Sequence, residues 1–372
     1  MSRAFSALPI LLAAAVLTGQ PAPRPALAEV RAAMGIPSAG DLRGQQDAVG
    51  FASTAAQMAE LWTLVALPPA PEGFGPLPAP GVAGAILPHD DYLYAGRVYR
   101  RVAPLVTART VVLVGTFHKY RAFGARGHLV LDPYRAWRAP DGEIPVSPLR
   151  DALRAALLPG DAVQDAACHD REHSLEAVAY WLRHQRPDLE ILPLLVPEMD
   201  FARMQALAGR VGTALARAMK ARGLALGRDV AVVLSSDGVH YGGDFAHTPF
   251  GAGGVAAFTQ AMAQERALLT GPLAGPISAD KARSFFETCV DPEHPGIYRL
   301  TWCGRFAVPF GLLLLEAAAR ELGEAAPIGR PVALGASVEG PELPVKPLGL
   351  GATAPANLHH FVAYPGVAFL RR

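Results

Sequence analysis

Three apolar runs of strand length in this chain each lead within six residues to a histidine, and this restricts the fold more than any other feature. Residues 82–87 (VAGAIL) run into Pro88-His89-Asp90-Asp91-Tyr92, and 110–114 (TVVLV) into Gly115-Thr116-Phe117-His118. Residues 230–234 (VAVVL) run into Ser235-Ser236-Asp237-Gly238-Val239-His240. Continuous apolar runs, without the alternation of a half-exposed strand, belong to strands covered on both faces, as in a parallel sheet. Further runs at 129–131, 191–196, 332–338 and 361–369 alternate with helix-length amphipathic segments near 96–106, 147–157, 174–185, 201–222, 252–269, 279–288 and 307–322. The pattern predicts an α/β fold: a single domain with a largely parallel sheet flanked by helices. Parallel strands share one carboxyl edge, where open α/β sheets bind ligands, so His89, His118 and His240 are expected at one crevice. Converging imidazoles are what a metal ion or a general base requires.

Cys303 extends this set. It precedes Gly304-Arg305 and a long apolar helical segment. A helix start favours thiolate over thiol, and thiolate is a strong ligand for soft and borderline metals. Glu172-His173-Ser174-Leu175-Glu176 opens another helix, where acids complement the dipole and His173 can face the crevice. His359-His360 is placed in a solvated loop before the last strand. Cys168 and Cys289 are a conceivable pair in an oxidising compartment. With 3 Cys in 372 residues no disulfide framework is available.

The first 28 residues read as a secretory signal peptide: a basic Met1-Ser2-Arg3, an apolar stretch over 4–19, and small residues at Ala26 and Ala28 before the cleavage point. Cleavage there removes Arg3 and Arg24 from 34 basic residues and none of the 33 acidic ones, leaving 32 against 33. An exported, periplasmic protein is expected, with no stable membrane span after cleavage. Such a balance offers no field for nucleic acid, and no phosphate-cradling GxxxxGK[ST] loop occurs. Residues 29–80 are expected to hold one helix (54–66) and a Pro/Gly-rich linker (LPPAPEGFGPLPAP, 67–80), leaving 81–372 as the α/β domain.

The ordered series Pro88-His89…Tyr92…Gly96, Gly115-Thr116-Phe117-His118, Glu172-His173-Ser174-Leu175-Glu176, Ser235-Ser236-Asp237…His240-Tyr241-Gly242 and Cys303-Gly304-Arg305 resembles the Memo family, whose bacterial members are called AmmeMemoRadiSam system protein B. The resemblance covers roughly residues 81–370 and implies a fold similar to class III extradiol ring-cleaving dioxygenases. It implies one transition-metal ion, Fe(II) or Cu ahead of Zn, held by His89, His118 and Cys303. His240, oriented by Asp237, is then the general base, and His173 assists proton transfer. Arg305 is expected to bind an anionic substrate group. Asp90 and Asp91 replace the family's small residues and are assigned with Arg305 to substrate binding. The ligand is a small molecule or peptide, and the resemblance also implies a functional link to AMMECR-type and radical SAM proteins. A thiolate in place of the dioxygenases' third, carboxylate ligand leaves two readings: a metal-dependent redox enzyme, dioxygenase-like in fold, or a non-enzymatic protein that binds copper, iron or peptide.

Overall fold

The computed structural model describes residues 24–65 and 74–372. Most of the expected signal peptide and part of the linker lie outside the described residues. The cleavage point after Ala28 falls in the first turn of a helix, Leu27–Ala32, whose Arg31 pairs with Asp170. The helix expected over 54–66 spans Ala55–Leu64, with the Thr54 hydroxyl accepting from the Gln57 N–H.

The main sheet is mixed, with a parallel centre. Strands Gly84–Leu87, Val230–Ser235, Thr110–Thr116 and Glu190–Val196 lie side by side and parallel. Beyond Gly84–Leu87 the order continues through His360–Leu370 and Ile328–Ala336 to Gly275–Pro276, each pairing antiparallel. Beyond Glu190–Val196 stand Leu129–Leu131, antiparallel to it, and then Ala162–Gln164. All four central strands are fully or almost fully buried, as their unbroken apolar sequences require.

Helices close both faces, so the core falls into two apolar layers with the sheet between them. One layer is built on Ala307–Leu322, buried along most of its length and packed against Phe201–Lys220. Gly212 makes that contact possible, since a Cβ there would stand 2.4 Å from the Leu314 carbonyl oxygen. The other layer holds Tyr92–Val102 and Glu176–Gln185, with Tyr92, Tyr99 and Trp181 in mutual ring contact. Among the described residues no helix is long and apolar enough to cross a membrane.

Register determines the site. Leu87 and Gly115 both stand opposite Ser235, so the three central strands end nearly level. His89, Asp237 and His118 follow two or three residues later and meet at one edge.

Candidate metal centre

Each imidazole at this edge is oriented from behind. His89 is buried, and its Nδ1 lies 2.9 Å from the Ser235 hydroxyl, which itself donates to the Ser174 carbonyl. With its proton spent there, the hydroxyl can only accept from His89, which places the ring proton on Nδ1 and the lone pair on Nε2. That Nε2 faces the Cys303 Sγ at 3.3 Å and the Asp237 Oδ2 at 3.4 Å. Burial, with His118 and His173 nearby, pushes the His89 pKa well below its usual value, so the ring is neutral.

His118 is held by Glu172, whose carboxylate accepts its backbone N–H at 2.6 Å and faces its Nδ1 at 2.9 Å. The carboxylate requires an N–H on Nδ1 and turns Nε2 toward the cavity. Burial disfavours the Glu172 carboxylate, but His118, His173 and the Ser174 N–H outweigh it and hold its pKa well below the usual range. His173 stacks on His118 with ring centroids 5.0 Å apart. One nitrogen each from His89, His118 and His173 lies within 4.8 Å of the others. A second trio within the same limit joins His89, Asp237 and Cys303. His89 belongs to both, so the three expected ligands divide, His118 in one trio and Cys303 in the other.

Asp237 does not orient His240. Its Oδ1 accepts the His89 backbone N–H at 2.9 Å, while its own N–H points to the Cys303 Sγ at 3.1 Å. His240 is oriented instead by the Gly238 and Thr301 carbonyls, each 3.1 Å from Nδ1. The carbonyls require an N–H on Nδ1, leaving Nε2 basic.

The expectation of a dipole-favoured thiolate at Cys303 is also corrected. Cys303 does stand just before the first helical bond, from the Val308 N–H to the Gly304 carbonyl, but burial beside Asp237 outweighs the helix start and pushes the thiol well up. Cys168 and Cys289 are buried and free rather than paired. His360 opens the last strand, half-buried against Phe245, and is not in a solvated loop.

A cavity of about 940 Å³ opens over these groups. His89, His118, His173, Asp237, His240 and Cys303 line it, as do Asp90 and Asp91. Asp90 accepts from the Tyr364 hydroxyl at 2.7 Å. Asp91 accepts from the Thr353 N–H and hydroxyl, and burial together with Asp90 raises its pKa to about 7. Arg305 lies outside this cavity and lines a smaller one behind His118. One wall of the large cavity is the 46–51 segment, fastened where Glu176 accepts from Arg43 and from the Gln46 and Asp47 N–H groups. The sequence reading of Glu176 as a dipole charge missed this bond. It likewise read Glu172 only as a dipole charge and left Ser235 without a ligand-orienting role, and their partners are 54 and 146 residues away.

His89, with its lone pair on Nε2, joins two overlapping trios, His118 and His173 on one side and Asp237 and Cys303 on the other, and these nitrogen, sulfur and oxygen donors fit a transition-metal ion. The fold and site define an α/β protein with a His/Cys/carboxylate cluster at the carboxyl edge of its parallel strands. The chain belongs to the Memo-like protein family, whose family model matches residues 69–324, a family of dioxygenase-like fold. It is 27% identical over 177 residues to a MEMO1 family protein of Thermococcus onnurineus, which covers 45% of this chain and 56% of the relative. It is 31% identical over 163 residues to a MEMO1 family protein of Methanosarcina barkeri, covering 43% and 55%. The matched stretch thus spans little more than half the length of these curated relatives.

Proposed function

We propose that this chain holds one transition-metal ion at His89, Cys303 and His118, iron or copper ahead of zinc, and is a redox enzyme for a small molecule or modified peptide. The observation that carries this reading is the Cys303 Sγ 3.3 Å from the lone-pair nitrogen of His89, on the floor of a large cavity. When bound, such an ion supplies Lewis-acid and one-electron chemistry. The chain's own residues do the rest. Ser235 and Glu172 each accept from or face the ring Nδ1 of His89 and His118, and burial keeps bulk water from His89 and Cys303. His240 stands outside both trios, its Nε2 free to take a proton from a bound ligand.

The observation favouring a binding protein without turnover is Asp237, a further buried donor beside His89 and Cys303 that could occupy the position a substrate would need. Metal content and activity of two variants separate these readings. Cys303→Ser exchanges a sulfur donor, which a bound metal would deprotonate, for a poor ligand and loses the metal. His240→Ala keeps most of the metal and loses turnover by about 10²–10⁴-fold if His240 is the base. Unchanged metal in Cys303→Ser sinks the metal assignment. Unchanged turnover in His240→Ala, with any substrate found, sinks the base. We place the protein outside the cytoplasm, and N-terminal sequencing of the exported form tests this by the expected start at Glu29.

A further inference from the structure

Arg305 is a buried guanidinium, 4% exposed, whose Nε has no hydrogen-bond partner. Buried charges are normally paired, and removing one from water without a partner is costly. The central carbon of this guanidinium lies over two rings, 3.8 Å from the Tyr298 centroid and 4.7 Å from that of Phe306, and the Tyr298 side chain is also within hydrogen-bond reach of it. Aromatic faces compensate part of the charge and leave the in-plane N–H edge. Arg305 lines a cavity of about 110 Å³ whose wall also includes Arg121 and no carboxylate. Thr116 lines the same space, and its buried hydroxyl has no hydrogen-bond partner either. His118 and Tyr298 line both this cavity and the large one, so they form the partition between them.

We propose that this small cavity is a carboxylate-binding subsite, with the Arg305 edge and the Thr116 hydroxyl as donors. A planar anion matches a guanidinium packed on aromatic rings with its Nε unpartnered, and the fork geometry of arginine favours two parallel N–H···O bonds. The ligand of the large cavity is then an organic acid whose carboxylate passes between His118 and Tyr298 while its remainder lies over His89 and Cys303. This rests on the reading of the large cavity as a ligand site and not on the metal.

The test uses the metal-free full chain with sodium acetate, sodium propionate and sodium phosphate, against sodium chloride at equal ionic strength. Melting temperature and calorimetry are the readouts. Acetate and propionate are expected to raise Tm saturably. Arg305→Met should abolish that rise and melt in chloride at or above the wild-type temperature, because a buried charge without a carboxylate partner is gone. Thr116→Val, close in shape, should weaken acetate at least about tenfold and carries the test if Arg305→Met does not fold. The proposal is overturned if wild type gains nothing from carboxylates or either variant binds them unchanged. It is equally overturned if phosphate binds more tightly than acetate. Acetate binding by a chain that never takes metal would sink the proposed function alone, and metal without acetate binding would sink this inference alone.

Discussion

Glu172 holds His118 at two points, accepting its backbone N–H and facing its ring Nδ1 with the same carboxylate. Carboxylates behind metal-ligating histidines fix the ring and raise its basicity, and their loss typically costs about 10–100-fold in metal affinity. Glu172→Gln is therefore expected to bind metal about 10–100-fold more weakly, with unchanged far-ultraviolet circular dichroism. Competition against a chelator of known affinity measures it. Unaltered affinity would show that His118 does not hold the ion.

Glu265 is fully buried in Val255–Thr270, accepting from the Trp302 indole N–H at 2.8 Å. Burial dominates and raises its pKa to about 8, with Trp302 and the Val239 N–H pulling only part of the way back. The folded state thus binds a proton more tightly than the unfolded chain, whose carboxyl titrates near about 4.3. This contribution is complete below that value and is lost as pH rises through about 8, by at most about 1.4 kcal/mol per unit. Glu265→Gln mimics the protonated form and should remove the loss. The difference in Tm between variant and wild type is expected to grow from roughly pH 5 to pH 8 and then level off. A constant difference across that range would refute the assignment.

Arg43 and Glu176 pair at 2.7 Å with both side chains fully buried. Removing one partner strands the other, at a cost of about 3–5 kcal/mol. Glu176→Ala should show this in urea denaturation, together with faster proteolysis within residues 43–53, because that wall loses its attachment. Arg43→Met combined with Glu176→Met should recover part of the loss, since no charge is then stranded. Equal damage from the single and double variants would contradict the pairing argument.

Gly304 permits the close approach of the Cys303 turn to the 235–237 strand end. A Cβ at this position would stand 2.3 Å from the Ser236 Oγ and 2.4 Å from its Cβ. Gly304→Ala must shift the turn, costing about 1–3 kcal/mol and moving the Cys303 sulfur from His89. Reduced metal content is expected, with recovery when Ser236→Gly is added to clear the contact. Full metal loading in Gly304→Ala alone would mean that the position of the turn is unimportant to the site.

Much of the scaffold was legible from local pattern alone. The apolar runs at 110–114 and 230–234 needed no partner to be recognised as covered strands, because burial on both faces leaves its trace in each residue. The seven helix-length segments likewise announced themselves by their amphipathic period or apolar length, as in Ala307–Leu322. Shared direction then brought His89, His118 and Asp237 to one edge, since parallel strands ending level must present their following residues together.

Which atoms meet was decided only by tertiary packing. His118 and Cys303 fall into different trios because His89 lies between them, a consequence of loop paths that periodicity does not encode. Asp237, three residues before His240, turns instead to His89, 148 residues away, since the backbone carbonyls nearest His240 already satisfy its Nδ1. The protonation of Cys303 depended on a competition between burial and a helix start, and burial prevailed because the sulfur is enclosed beside Asp237. Arg305 was readable as a charge near a helix start. That its guanidinium packs on Tyr298 and Phe306 in a cavity without a carboxylate is a property of the folded surface and of no sequence window.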